Sequence, residues 1–313
     1  MAEKTSKTEY RIRNWREYDA ALKHRGSLTF WVDDKVLSGW LNEQKSGKRG
    51  ASKTYSDLAI ATMSTLGSVM RLAGRQTEGF VESLFKLMGV EMSVPDHSTI
   101  SRRLGKLSVT LPIVEGEGAR HVAVDSTGVK VYGEGEWKVR QHGYSKRRTW
   151  RKLHLGVDEA TGEILAAVVS TNNVSDGEVL GDILEGIEGD IEAVSADGAY
   201  DKRSCYDEIA KRGAQVNIPP REDAQYWQKE GDTHARNQNL KQIETFGRAD
   251  WKRECGYHRR SLAETMMFRF KVIFGGTCSR RTFNNQAAEL LLACAALNRM
   301  THLGMPDSYA LNP

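Results

Sequence analysis

Up to about residue 115 the apolar positions recur at the three- and four-residue spacing of helices that bury one side; beyond it they alternate or cluster as in strands. YSDLAIATMSTLGSVMRLAG (55–74) predicts a helix with Ser56 as its N-cap, ending before Gly74. TEGFVESLFKLMG (77–89) predicts a second, running from Thr77 to Gly89. In VPDHSTISRRLGKL (94–107), Ser98 can cap a short third helix with Ile100, Leu104 and Leu107 turned inward. Thr99, Arg102, Arg103 and Lys106 then face out. A helix followed by a small basic helix has the sequence shape of a helix-turn-helix, here spanning 77–107. Its connection, Gly89 to His97, is longer than the roughly three or four residues usual for that unit. An ordinary bundle with a basic outer face fits the same pattern.

VTLPIVEGEGARH (109–121) ends this regime, and its Pro and Gly mark a boundary near 115. HVAVD (121–125) is a short β-branched run ending in Asp125. WRKLHLGVD and EILAAVVST flank EATG (159–162) as the two arms of a hairpin. DGEVLGDILEGI reads as helix, IEAVSAD (191–197) as a buried strand ending in Asp197, KRSCYDEIAKRG as helix and AQVNIPP as a last strand. Three meandering strands followed by alternating helix and strand predict a mixed α/β fold, with helices packed on a mixed sheet. Residues 221–255 are polar and poorly periodic, and read as an insertion of loops and short helices. NNQAAELLLACAALNRM (284–300) is a strongly apolar closing helix.

One stretch before that helix carries charges at fixed spacing. In YHRRSLAETMMFRFK (257–271), about 100° per residue places Tyr257, Arg260, Glu264 and Lys271 within an arc of roughly 60°. Leu262, Met266 and Ile273 project from the opposite side, as on an amphipathic helix packed on a core. Taken alone, Arg260 and Glu264 are an i,i+4 ion pair of the kind that decorates exposed helices. A functional reading needs partners for Glu264 elsewhere.

The totals narrow the class. The chain has 313 residues, 39% hydrophobic and 27% charged, as expected for a globular protein of two domains, 1–115 and 116–313. No apolar run approaches the roughly 20 residues of a membrane span. The first residues, MAEKTSKTEYRIRNW, lack a signal-peptide core. A cytoplasmic protein without membrane contact is expected. Cys205, Cys255, Cys278 and Cys294 are far apart and form no C-x-x-C pair, so they are expected as small buried side chains, not as a zinc site or disulfides. The formal charge of +4 is mild, but residues 1–110 hold 18 Lys and Arg against 12 Asp and Glu, a net of +6. KVRQHGYSKRRTWRK (138–152) has seven basic residues and no acid. Such a stripe on a nearly balanced protein is either a polyanion footprint or a solvated basic loop.

The partners of Glu264 come from the strands. Asp125 and Asp197 each close a strand and precede turn-forming residues, DSTG and DGAYD. Strand ends are where α/β sheets place their ligands. Three clustered carboxylates repel one another, and a pair of Mg²⁺ ions, for which Mn²⁺ can substitute, resolves the repulsion and binds phosphate oxygens readily. Two such ions about 4 Å apart activate a water or a 3′-hydroxyl and stabilise the departing oxygen. Competing chemistries lack their parts. There is no G-x-x-x-x-G-K-[ST], hence no nucleotide cofactor, and no H-E-x-x-H or G-x-S-x-G. His121 and His154 lie on strands and are expected to be packed.

Together these residues resemble a DDE transposase of a bacterial insertion sequence, of the insertion sequence five family. That family's signature is Tyr, two residues, Arg, three residues, Glu, six residues, Lys, matched without departure by Tyr257, Arg260, Glu264 and Lys271. VAVDSTGVKVYGEGEWKVRQHG, SKRRTWRKLHLGVD, SADGAYD and SLFKLMG…VPDHSTISRR are also similar to it, and the likeness spans roughly residues 10–303. The resemblance implies a helical DNA-binding domain before a ribonuclease-H-like catalytic domain, with Asp125, Asp197 and Glu264 as the catalytic, metal-binding acids. It implies Mg²⁺-dependent hydrolysis at the element's ends and attack of the freed 3′-hydroxyl on target DNA. Arg260 and Lys271 would face phosphates and Tyr257 would stack on or bond to DNA. Arg102, Arg103 and Lys106 are candidates for holding the terminal inverted repeat, and Arg147, Arg148, Arg151 and Lys152 for holding DNA beside Asp125. Trp137, Trp150, Trp227 and Trp251 include a candidate stacking wedge. Two ends joined in concert imply a homodimer on double-stranded DNA. The rival readings are a nuclease on the same scaffold that only hydrolyses, and a non-catalytic DNA-binding regulator derived from a transposase.

Overall fold

The computed structural model describes residues 9–43, 54–114, 116, 118–131, 150–228 and 233–311. A short strand β1 (Tyr10–Ile12) leads into helices α1 (Trp15–Arg25), α2 (Leu28–Trp31), α3 (Asp34–Ser38), α4 (Asp57–Val69), α5 (Gly74–Leu87) and α6 (His97–Leu104). Ser56 caps α4 as expected, its hydroxyl accepting from the Ala59 N–H at 3.0 Å. Gly74, however, opens α5 instead of closing α4. The chain turns at Arg71, a non-glycine residue at φ 53°. The Arg71 guanidinium donates to the carbonyls of Val272 (2.6 Å) and Ile273 (3.2 Å). Asp96, not Ser98, caps α6: its carboxylate accepts from the backbone N–H groups of Ser98 and Thr99, both at 2.9 Å, and from their hydroxyls. A charged acceptor satisfies more of the unpaired first-turn donors than a serine hydroxyl can. Those hydroxyl and amide bonds hold the Asp96 carboxyl far below its ordinary pKa.

The sheet comprises β2 (Arg120–Val131), β3 (Trp150–Asp158), β4 (Ile164–Thr171), β5 (Ile191–Ser195), β6 (Gln215–Asn217) and β7 (Thr277–Cys278). Its order is β4-β3-β2-β5-β6, with β2, β3 and β4 antiparallel and β5 and β6 parallel to β2. This is the ribonuclease-H-like arrangement. The hairpin turn falls at EATG, with Gly162 at φ 71° where a side chain would be strained. Helices α7 (Leu180–Glu185) and α8 (Arg203–Lys211) cover one face, packing on Val122, Val124, Val194 and Val216. Helices α11 (Ser261–Phe274) and α12 (Phe283–His302) cover the other, packing on Ala123, Val129, Leu153 and Leu155.

Two features revise the sequence picture. First, β2 does not end at Asp125; it continues to Val131, and Asp125 is mid-strand. Its neighbour β5 pairs with it only as far as Ala123↔Ser195. β7 takes up the same edge again at Lys130 and Val131, because β3 already occupies the other edge there. Between them, among the described residues, that edge of β2 is open. Second, the helical and sheet parts share a core. Ala296 and Met300 of α12 pack among Trp31, Trp40, Met63 and Phe85. Asn298 clasps both the N–H and the C=O of Ile164 at 2.8 Å and reaches Pro112 O at 3.0 Å. Strand β8 (Ser308–Ala310) pairs antiparallel with β1. The change of architecture between α6 and β2 therefore falls among parts that share packing.

Residues 221–255, read as loops and short helices, contain α9 (Ala235–Phe246) and α10 (Arg248–Glu254) among the described positions. They are fastened by Arg236 and Asp201, both buried, through bonds of 2.7 and 3.2 Å, with the guanidinium lying 4.4 Å above the Trp227 ring. Cys205, Cys278 and Cys294 are buried and Cys255 is half-buried; all four are free thiols. Among the described residues no helix is long and apolar enough to cross a membrane.

Candidate functional site

The open edge of β2 gathers the acids. Asp125 shares strand parity with Ala123 and Val129, so it points to the α11 side. Extending the Ala123↔Ser195 register by two residues brings Asp197 beside Asp125, just beyond the end of β5. Asp197 then opens a short 3₁₀ turn, Gly198–Tyr200, its carboxylate accepting from the Ala199 N–H at 2.9 Å. Glu264 stands in the first turn of α11, which packs on β2 and β3.

Arg260 joins these elements. Its guanidinium bonds Asp125 Oδ2 at 2.9 Å and also Glu264 Oε1. The i,i+4 pair of the sequence is thus one half of a three-residue bridge, with Arg260 and Asp125 each about one-sixth exposed. Tyr257 and Arg260 are not in the α-helix as expected but in a 3₁₀ turn, Tyr257–Arg260, ahead of it. At about three residues per turn that geometry still aligns them on one edge, and the Arg260 guanidinium lies 5.8 Å from the Tyr257 ring centre. Of the residues expected to turn inward on this helix, Met266 is buried, while Leu262 and Ile273 are half-buried. Lys271 is exposed two turns beyond Glu264.

The electrostatics follow from crowding. Burial pushes the Asp125 carboxyl above its ordinary pKa and the Asp197 charge adds to that; the Ser126 N–H, at 2.8 Å from Oδ1, and Arg260 pull it down. Tyr200 is buried, its hydroxyl has no partner among the described residues, and burial together with the charges of Asp176, Asp125 and Asp197 raises its pKa. These carboxylates form a hard-oxygen donor set with more negative charge than Arg260 offsets, which suits a divalent ion. As they stand, no three acidic, His or Cys side chains among the described residues close on one ion. Arg260 holds oxygens that an ion would take.

The other expected residues divide. Arg102 and Lys106 are exposed on α6 and on the turn after it. Arg103 is turned into the fold, donating to Tyr55 O and pairing with Asp57; its place as an outward DNA ligand is corrected, because it ties α6 to the start of α4. Arg151 bonds Gln286 Oε1 at 2.7 Å and stacks on Phe283. Lys152 bonds Val174 O at 2.9 Å and Asp176 Oδ1 at 3.2 Å. Both side chains are engaged within the protein instead of lying free beside Asp125. Arg147, Arg148 and Trp137 lie outside the described residues. Trp251 is buried, Trp227 is packed between Arg236 and Tyr206, and half-buried Trp150 lies under Lys130, so none of the three is a free wedge. His154 is fully buried, bonded to Ser170, and burial keeps its pKa low, as its strand position implied. The half-buried His121 pairs with Glu192 instead of packing fully inward.

Asp176 was missed. It opens a 3₁₀ turn, Asp176–Glu178, in the polar run after β4, where nothing in the sequence distinguishes it from a solvated loop acid.

Two family models, each described as a transposase DDE domain, match residues 23–134 and 116–299. Among solved structures, the cryo-EM structure of a piggyBac transposase synaptic complex with hairpin DNA is similar at 11% identity, with 90% of this chain and 74% of that one covered and a TM-score of 0.37. The second family model spans more than half of the chain, across the whole sheet and both helices on its acidic side. The chain belongs to the DDE transposase family.

Proposed function

We propose that this chain is an insertion-sequence transposase that binds terminal inverted repeats, hydrolyses the phosphodiester at the element's ends and joins the 3′-hydroxyls to target DNA. The observation that carries this reading is the Arg260 bridge between Asp125 and Glu264 at the open edge of β2, with Asp197 next to Asp125 just past the end of β5. Asp125, Asp197 and Glu264 would hold a pair of Mg²⁺ ions, or Mn²⁺ in their place. When bound, the metal supplies activation of the attacking oxygen and neutralisation of the departing one. Freed from Asp125, the Arg260 guanidinium would bond a phosphate oxygen, with Tyr257 against it and Lys271 further along the same face. Arg102 and Lys106 offer phosphate contacts on the helical part. Two element ends joined in concert call for a homodimer on DNA.

The test is cleavage of DNA bearing the gene's flanking inverted repeats, with Mg²⁺ or EDTA, for wild type and Glu264→Ala, with binding measured alongside. Wild type should nick at the repeat ends and join them to target; the mutant should bind and do neither. Nicking without joining identifies a nuclease. Binding by both proteins with no cutting under any divalent metal identifies a DNA-binding regulator and overturns the proposal.

A further inference from the structure

A second polar cluster lies behind the acids, on the opposite face of β2. Ser126 has the parity of Val122 and Val124, so its side chain points away from Arg260 toward the α7–α8 side. Its hydroxyl donates to Asp176 Oδ1 at 2.8 Å, while its backbone N–H donates to Asp125 Oδ1 at 2.8 Å. Lys152 donates to the same Asp176 oxygen, and the buried His154 approaches it at 3.7 Å without bonding. The place where this occurs is telling. Beyond Ala123 the β2 backbone has lost its β5 neighbour and has not yet met β7. A strand segment with one open edge is held by half the usual ladder. Asp176 supplies the missing hold from outside the sheet.

We infer that Asp176 is a positioning residue: through the Ser126 hydroxyl it anchors the open segment of β2, and through the Ser126 N–H it fixes the carboxylate of Asp125. The inference rests on the proposed metal role of Asp125 for its functional consequence, and on the strand geometry for its mechanism. Outer partners that orient a metal-binding carboxylate are typically worth about 10- to 100-fold in metal affinity.

The test uses the full chain without DNA. Mn²⁺ binding is measured by calorimetry, and amide hydrogen exchange is followed over residues 124–128 without metal. Ser126→Ala and Asp176→Ala should each weaken Mn²⁺ binding by roughly 10- to 100-fold and speed exchange by the same factor as each other. The double variant should be no worse than either single one, because both cut the same connection. Asp176→Asn, which keeps the acceptor for Ser126, should restore both readouts. Lys152→Met, which spares the Ser126–Asp176 bond, should leave both unchanged. Unaltered exchange in Ser126→Ala, additive losses in the double variant, or a Lys152→Met that matches Asp176→Ala would overturn the inference. If wild type takes up no Mn²⁺, the metal role proposed above fails, and the exchange comparison alone decides whether the anchor exists.

Discussion

Removing Arg260 should make the acidic cluster a better cation site. Its guanidinium holds Asp125 Oδ2 at 2.9 Å and Glu264 Oε1, and an ion must take those oxygens from it. Arg260 and Asp125 are each largely buried, whereas Glu264 is 55% exposed. The Arg260–Asp125 contact therefore dominates, and a hydrogen bond to a charged group is worth about 1.5–3 kcal/mol; the exposed Glu264 contact adds about 0–1 kcal/mol. Competition of that size means Arg260→Ala tightens Mn²⁺ binding by roughly 10- to 1,000-fold. The same variant loses the compensation that lowers the Asp125 pKa, so the comparison belongs near pH 8, where the carboxylate is ionised. Calorimetric titration of wild type, Arg260→Ala and Asp125→Ala without DNA gives the answer. Equal or weaker binding by Arg260→Ala would refute the reasoning, because it would mean the ion does not compete for the oxygens Arg260 holds. Cleavage by the variant should fall even as affinity rises if Arg260 binds a DNA phosphate as proposed.

Other expectations follow from individual contacts. Burial raises the Asp125 pKa, so Mn²⁺ affinity should drop on acidification at a higher pH than an ordinary Asp dictates, near 4; Asp197→Asn should move that midpoint down. With its folded pKa above the unfolded one, Asp125 also makes the metal-free protein gain stability as pH falls through that value, a rise that urea denaturation of Asp125→Asn should lack. Asp96 behaves oppositely: its pKa is depressed by the cap bonds, so its contribution is present above the unfolded value and lost as pH falls below it. Asp96→Ala should cost about 1–2 kcal/mol at neutral pH, with the difference from wild type shrinking in acid. Asp201→Ala strands the buried Arg236 charge and should cost about 3–5 kcal/mol in urea melts. Arg102→Ala and Lys106→Ala should each lower the salt slope of DNA binding by about 1, whereas Arg103→Ala should lower stability and leave the slope alone.

The hairpin, the order of strands and helices, the Ser56 cap and the arc from Arg260 through Glu264 to Lys271 were all legible, because each rests on local periodicity or turn chemistry. What escaped was set by distant partners. DSTGVKV reads as a turn after Asp125, yet it continues β2 because β3 pairs with it to Lys130. Arg103 and Arg102 are adjacent and chemically alike; only the position of Asp57 decides that one turns inward. Ser98 is a good cap by rule, but Asp96 competes for the same donors and is charged. The helix expected to begin at Tyr257 starts as a 3₁₀ turn after Gly256, whose φ is 68°. Asp176 could be assigned only after Ser126 was seen to face it across the strand.

The penetration of α12 into the helical part sets an order on synthesis. The core around Trp31, Trp40 and Phe85 lacks two of its packing residues, Ala296 and Met300, until the ribosome has passed position 300. At about 5–20 residues per second the stretch from Trp31 to Met300 takes roughly 13–54 s to make. During this interval the nascent chain carries exposed basic residues on helices without a finished core. A chain terminated before α12 would therefore leave the helical part without a finished core. The helical part and the sheet it packs against should therefore mature together, once α12 has been made.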